Sequence, residues 1–341
     1  MNKYCLFVVL MLCLCRQLSA QTESKADEYI EREEGSINYE RKIVVEEATA
    51  TWCGWCIRGI VMMDRMEKKY PDKFILMSLH KGDVMSVDWY EENINSISRD
   101  ISINSLPKAV LDRNVMCDPF EIEEKLLDCI DQDDIKVALE ATAAYDRDLN
   151  IADISSRLHF EKKGIHTDYR LAYYLVEDSV YHPDDARYRQ KNKYSGSSDD
   201  WDGYEYMGPV ISDMYFRNVV RGFDWQFDGI PESVPESFDA ETEIMHDYRF
   251  LIPESVDDIE KCHFVVMLID MEDRHVINAC TAPLETPSGI DAAVMYPVQE
   301  ILIYGIDGRL VDRGSDIDSL LKDRKGMFIV KQGTKIRKIM V

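Results

Sequence analysis

Ile43-Val44-Val45-Glu46-Glu47-Ala48 leads into Thr51-Trp52-Cys53-Gly54-Trp55-Cys56, and the reading of this stretch decides the fold. The first run is β-like, and the Trp-Cys-x-x-Cys segment closes it and opens a helical pattern. Two cysteines separated by two residues at a helix N-terminus can form a tight disulfide. The first thiol is then expected to be exposed and to face unpaired backbone N–H groups. Those donors and the helix dipole stabilise a thiolate, the reactive form. Dithiol–disulfide exchange therefore ranks ahead of other chemistries, with Cys53 as nucleophile and Cys56 as the buried resolving thiol.

Outward from this stretch, strands alternate with helices. Ile57–Tyr70 carries Ile60, Met63 and Met66 at helical spacing. Phe74–Leu79 reads as a buried strand, 86–97 as a helix, Ala109–Leu111 as a strand and Phe120–Ile130 as a helix. This is an α/β pattern. After about residue 135 the character changes. Val137–Ala143, Ser156–Phe160, Tyr169–Val176 and a hairpin from Cys262 to Cys280 read as strands with polar turns, which suggests an antiparallel, Ig-like β-sandwich. A long polar stretch, His182–Met207, reads as an irregular surface excursion. The tail from Tyr296 is again β-like, with Gly-centred hairpins. The expected fold is thus multidomain, α/β plus all-β. Its parts are a signal peptide (1–20), an acidic leader (21–40), an α/β domain (41–134), a β-sandwich (135–285) and a small β-domain (286–341).

The chain has 341 residues and a net charge of −24, and loss of residues 1–20 would remove Lys3 and Arg16 and take it to −26. Such a charge argues against nucleic acid and anionic membranes as partners. Residues 1–20 carry Lys3, an apolar run from Cys5 to Cys15 and Leu18-Ser19-Ala20 as a cleavage site, the pattern of a secretory signal. The protein is expected to be exported, to the periplasm, outer membrane or cell surface. Of nine cysteines, three fall in that signal, leaving Cys53, Cys56, Cys117, Cys129, Cys262 and Cys280. An even count in an exported chain fits disulfides. Cys262 and Cys280 flank a hairpin whose turn falls near Met271-Glu272-Asp273, and a cross-strand disulfide is expected there. Cys117 and Cys129 either pair across a turn and a helix or stay as buried free thiols.

The strand, Trp-Cys-x-x-Cys and helix resemble the thioredoxin superfamily. Leu106-Pro107 ahead of Ala109–Leu111 resembles its cis-proline. The resemblance implies a cis Pro107 across from the dithiol, shaping with Leu106 a substrate groove. It also implies that Glu47, six residues before Cys53, is a buried acid that shuttles the proton of the buried thiol. Val45-Glu46-Glu47, Thr51–Cys56 and Arg58-Gly59 together are similar to the outer membrane protein, twenty-eight-kilodalton related, family of Gram-negative envelope proteins. That family pairs a thioredoxin-like domain with a β-sandwich. Where many of its members carry proline after the second cysteine, this chain has Ile57. Tyr304–Val311 and Lys325–Lys331 resemble a type IX (Por) secretion sorting domain, which implies contact with outer-membrane export machinery.

Trp55 is a candidate for lining a peptide groove, whereas Trp52 is expected to pack on the domain. Glu46 lies on the other strand face from Glu47. Zinc needs two more ligands, and no second Cys-x-x-Cys is present. His80 is expected to face solvent in a loop, and Asp199-Asp200-Trp201-Asp202-Gly203 to be a solvated acidic loop. Two functions follow. One is an exported thiol–disulfide oxidoreductase acting on protein or peptide thiols, with a separate redox partner and no bound cofactor. The other is an envelope binding or adhesion protein in which Cys53–Cys56 is a structural disulfide on a scaffold.

Overall fold

A computed structural model describes residues 37–87, 97–98, 101–130, 136–223, 227–286, 301–305, 310–314, 321, 324–332 and 335–340. The expected signal peptide, most of the acidic leader and most of the helix expected at 86–97 lie outside the described residues. The chain divides into two compact units, Ser36–Thr286 and one holding the strands after Pro287.

In the first unit, β1 (Ile43–Thr49) is followed by helix α1 (Ile57–Lys69) and by β2 (Phe74–His80). The strands β1 and β2 pair in parallel, with Ile43 opposite Phe74. Helix α1 buries Ile57, Val61, Met63 and Met66 and ends where Lys68 and Lys69 sit against the negative end of its dipole. Then come β3 (Lys108–Leu111), antiparallel to β1, β4 (Val115–Cys117), antiparallel to β3, and helix α2 (Ile122–Ile130). A 3-10 turn introduces α2. Asp118 and Glu121 form a capping box around it, with Pro119 at a position that needs no N–H.

The rest of this unit supplies β5 (Val137–Asp146), β6 (Ile151–Phe160), β7 (Gly164–Ile165), β8 (Tyr169–Glu177), β9 (Gln190–Lys191) and β10 (Val210–Ile211). It continues with β11 (Val219–Phe223), β12 (Ser237–Phe238), β13 (Thr242–Leu251), β14 (Cys262–Asp270) and β15 (His275–Glu285). Eleven of the described strands form one mixed sheet in the order β13-β6-β5-β15-β14-β8-β11-β2-β1-β3-β4. Its joints are narrow. Val219 of β11 meets Ser78 of β2, and Leu284 and Glu285 of β15 meet Ala143 and Ala144 of β5.

The sheet doubles over itself, as its cores show. Ile43, Val45, Leu76 and Leu111 pack with Met63, Met66, Ile122 and Leu126 of the helices. On the other face, Val44, Ile75, Met77 and Val110 pack with Tyr174, Val265, Met267 and Ala279. The opposite faces of β8 and β14, through Tyr173, Leu175, Phe264 and Val266, pack on Leu139, Ile154, Leu158 and Phe250. A helical layer thus covers β2-β1-β3-β4, this covers β8-β14-β15, and that in turn covers β5-β6-β13. Both faces of β8 and β14 are buried, so their central runs, Leu171–Val176 and Phe264–Ile269, are apolar rather than alternating. The second half is β-rich as expected. Its strands continue the sheet of the first half and share a middle layer with it.

Neither of the two added disulfides forms. Cys117, Cys129, Cys262 and Cys280 are buried thiols that are not disulfide-bonded. The β14–β15 register sets Cys280 opposite Val266, not Cys262. Four residues of strand are about 13 Å, twice the Cα separation a disulfide spans. Cys117 and Cys129 lie in the core beneath α1 and α2.

In the second unit, β16 (Ile301–Gly305), β17 (Leu310–Gly314), β18 (Met327–Gln332) and β19 (Lys335–Met340) form an antiparallel sheet in the order β17-β16-β18-β19. These are the strands expected from the tail's pattern.

One polar link crosses the interface between β1 and β8. The fully buried Arg113 donates to Glu46 from Nε (3.2 Å) and Nη2 (3.1 Å) and to the Tyr174 hydroxyl (2.7 Å). Its guanidinium also lies 4.0 Å from the centroid of Phe227. Arg113→Ala is expected to cost about 3–5 kcal/mol in denaturant unfolding, because Glu46 is left charged and dry. Replacing Arg113 and Glu46 together with methionine should recover most of that loss. Alkylation in denaturant without reductant, followed by peptide mapping, should modify Cys117, Cys129, Cys262 and Cys280 while sparing Cys53 and Cys56.

Candidate functional site

Strand β1 delivers the chain to the edge of the sheet, and a tight turn brings it back as α1. The Cys53 N–H donates to Ala50 O and the Cys56 N–H to Cys53 O, each at 3.1 Å. Gly54–Cys56 form a 3-10 turn that leads directly into α1. Cys53 and Cys56 are joined in a disulfide, with Cα atoms 5.4 Å apart. Cys56 is fully buried, and Cys53 is 6 % exposed, less open than its place at a helix start suggested. Ala50 and Leu106 complete the apolar seat of the pair.

The Leu106–Pro107 peptide bond is cis. Pro107 and Glu47 are brought together by Gly59, one helical turn after Cys56. A Cβ built on Gly59 would overlap Glu47 Oε1 and come within 3.2 Å of Pro107 Cβ. Glycine in a helix interior costs about 1 kcal/mol against alanine, so a glycine there has a packing reason. The available signal was an isolated glycine inside a helical pattern.

Glu47 is 1 % exposed, and its Oε1 has no hydrogen-bond partner among the described residues. Burial, and then the nearby Asp64 carboxylate, push its pKa up to about 8. Its neighbour Glu46 points the other way and is held by Arg113. Between β1, β2 and α1 lies a crevice of about 40 Å³ lined by Glu47, Thr49, Ser78, His80, Asp64 and Arg217, among others. Thr49 Oγ1 is also without a partner among the described residues. A polar space of this size accepts water. Asp64 is itself raised by burial, against the pull of Arg217, whose Nη1 lies 3.1 Å from its Oδ1.

His80 departs from expectation. It is 5 % exposed, its Nδ1 is 2.8 Å from Asp83 Oδ2, and its ring stands edge-on to Phe216. Asp83 also accepts from the Thr51 N–H at 2.7 Å and thus anchors the start of the dithiol loop. Burial alone would raise Asp83, but His80 and the backbone donors of Thr51 and Met85 hold it below its usual value. The imidazole is a turn-builder because a buried carboxylate and an aromatic edge hold both its polarity and its face.

The indole of Trp52 packs back on the domain, donating to Lys81 O at 2.9 Å. Trp55 is 51 % exposed beside the pair, with its edge on Tyr194. Tyr194 packs at a tilt against the buried Trp201, whose flanking Asp202 is bound by Arg65 at 2.6 Å. The acidic segment 199–203 is therefore partly ordered by a cation and an aromatic pair. The polar stretch from which Tyr194 comes also reaches the dithiol loop itself through Gln190, Lys191 and Lys193, a contact with no sequence signal.

The family model for outer membrane protein Omp28 matches residues 94–286. That span contains Leu106-Pro107 and begins after the dithiol. None of the curated proteins matches. Among solved structures, HBP35 of Porphyromonas gingivalis is 14 % identical with a TM-score of 0.52, over 90 % of this chain and 100 % of that one. A protein from Agrobacterium tumefaciens is 13 % identical with a TM-score of 0.43, over 73 % of this chain and 97 % of that one. A domain of the outer membrane lipoprotein Omp28 from Porphyromonas gingivalis is 13 % identical with a TM-score of 0.25, over 45 % of this chain and 92 % of that one. At these identities the first is a likeness of fold alone.

The burial of Glu47 has a pH signature. Its folded pKa, about 8, lies above the ordinary 4.5, so the folded state holds a proton that the unfolded state has released. Stability is therefore lost as pH rises from about 4.5 to 8. Glu47→Gln should remove this loss. The variant should match the wild type near pH 5 and exceed it at pH 9 by an amount on the order of 5 kcal/mol at most, read from denaturant unfolding of the oxidised protein. Asp112, also raised by burial, to about 7, titrates in both proteins and cancels in the comparison.

Proposed function

We propose that this chain, which belongs to the Omp28 outer membrane protein family, exchanges disulfides with protein or peptide thiols through Cys53–Cys56. As a member of that family it is an exported protein of the cell envelope. The observation that carries the redox reading is the burial of Glu47, whose Oε1 has no hydrogen-bond partner among the described residues, against Gly59, one helical turn after Cys56. A group of that kind costs stability and adds none. It is well placed, however, to give or take a proton near neutral pH.

In the oxidised protein, a substrate thiolate attacks Cys53 Sγ and the Cys53–Cys56 bond breaks. Cys56 leaves as a thiolate, and the protonated Glu47 supplies its proton. A second substrate thiolate then displaces Cys53 from the mixed disulfide. The substrate loses two electrons and the pair gains them. Run backwards, Cys53 attacks a substrate disulfide, Glu47 removes the Cys56 proton, and Cys56 resolves the mixed disulfide. The crevice beside Glu47 offers its proton a way out past Asp64. Leu106, Pro107 and Trp55 border the approach to the pair and are read as the peptide-binding edge. No cofactor takes part, and a separate redox partner restores the pair.

The sheet order β2-β1-β3-β4, with α1 and α2 on one face, supports a thioredoxin-like reading of the first half. The antiparallel tail supports the sorting-domain reading and contact with outer-membrane export machinery. The low exposure of Cys53 favours the rival, an envelope binding protein with Cys53–Cys56 as a structural disulfide.

Equilibration with glutathione separates the two. A potential between about −270 and −120 mV, with Cys53 alkylated before Cys56, is expected for exchange. A potential below roughly −300 mV, with no labelling until the protein unfolds, would establish the structural role.

A further inference from the structure

We propose that Gln190, more than a hundred residues from the dithiol in sequence, is a positioning residue for it, and that Gln190–Lys193 form a clamp that favours the closed disulfide. The proposal rests on the reading of Cys53–Cys56 as an exchangeable pair and adds to it a residue that sets how stable the closed state is. Gln190 is fully buried. Its Nε2 donates to Cys53 O at 3.0 Å and Lys191 O at 2.9 Å, and lies 3.4 Å from Ala50 O. Three carbonyls around one amide atom fix it as the nitrogen. On either side of Cys53, the Lys191 N–H donates to Thr51 O at 2.8 Å and the Lys193 N–H donates to Gly54 O at 3.0 Å. The carbonyls of Thr51, Cys53 and Gly54 are thus all held by one short segment, which lies along the dithiol loop like an added strand. Its fit is close, because a Cβ on Gly54 would stand 2.7 Å from Lys193 Cγ.

A closed disulfide needs its two sulfurs in bonding contact, whereas two thiols must stand further apart. Reduction therefore asks the loop to spread. A clamp on three carbonyls of the loop opposes that spread and holds the reduced sulfurs close to the geometry in which they join. The same segment covers the flank of Cys53, leaving attack to come from the side of Trp55 and Leu106.

The test is titration of the full mature protein with dithiothreitol redox buffers. Dithiothreitol supplies two electrons and two protons, its own sulfurs closing into a ring as the Cys53–Cys56 bond opens. Gln190→Leu fills the same space without a donor. It is expected to weaken the closed pair about tenfold, roughly 30 mV towards higher potential, and to speed its reduction. Gly54→Ala attacks the clamp from the other side, should shift the potential in the same direction, and keeps the test open if Gln190→Leu does not fold. Near-UV circular dichroism checks that each variant is native. Variants that are folded yet keep the wild-type potential and reduction rate would overturn the proposal. A wild-type pair too stable for glutathione would instead count against the exchange function, and dithiothreitol would still read the effect of the clamp.

Discussion

Strands β8 and β14 have no face left for water, and the rest of the first unit is arranged by that constraint. One of their faces needs the β5-β6-β13 layer and the other needs the β1–β3 layer, so neither half of the unit is complete without the other. Burial of this kind, at about 25 cal/mol per Å² of apolar surface, is the main force of folding. It also explains why a strongly polar element between the layers is a matched set. Arg113 neutralises Glu46, and Tyr174 and Phe227 close around the guanidinium.

Glu46 and Glu47 show what the same constraint does to chemistry. They are adjacent and almost fully buried, on opposite faces of one strand. One is bound by a buried arginine. Burial, and then the nearby Asp64 carboxylate, push the pKa of the other up to about 8. A sheet covered on both sides thus turns two identical side chains into a structural ion and a proton reservoir. The dithiol is fixed from three directions around them, by Asp83 at Thr51, by the Gly59 contact with Glu47 and Pro107, and by Gln190 at Cys53.

Local pattern made much of this legible. The apolar run, the cysteine spacing and the helical period of Ile60, Met63 and Met66 place β1, α1 and the dithiol within a residue or two. The tail strands were legible for the same reason. Periodicity says nothing about which distant strand covers which face, so the doubled sheet escaped. Its trace was nevertheless present, because Phe264–Ile269 is apolar without alternation and an Ig-like sandwich strand would alternate. The Cys262–Cys280 pairing failed on register, which is set by where the turn begins and by the bulge at Leu268 and Ile269. His80 was misjudged because a histidine at a strand end looks solvent-bound until its carboxylate, three residues on, is seen to be buried with it. Gln190 carried no signal at all, since it acts through backbone carbonyls that every sequence possesses.

The order of strands across the sheet has a consequence in time. Each early strand has a neighbour that is made late: β2 waits for β11, β8 waits for β14, and β5 waits for β15. A chain threaded through a membrane from its N-terminus therefore cannot close its sheet until Glu285 has emerged, and pairing over such distances is slow. Until Lys193 has followed, Cys53 and Cys56 stand without Gln190, Lys191 or Lys193, whereas the core around Cys117 and Cys129 is built from elements completed by Ile130. Cys262 and Cys280 come last, on the strands of the middle layer, and are locked away only when that layer closes.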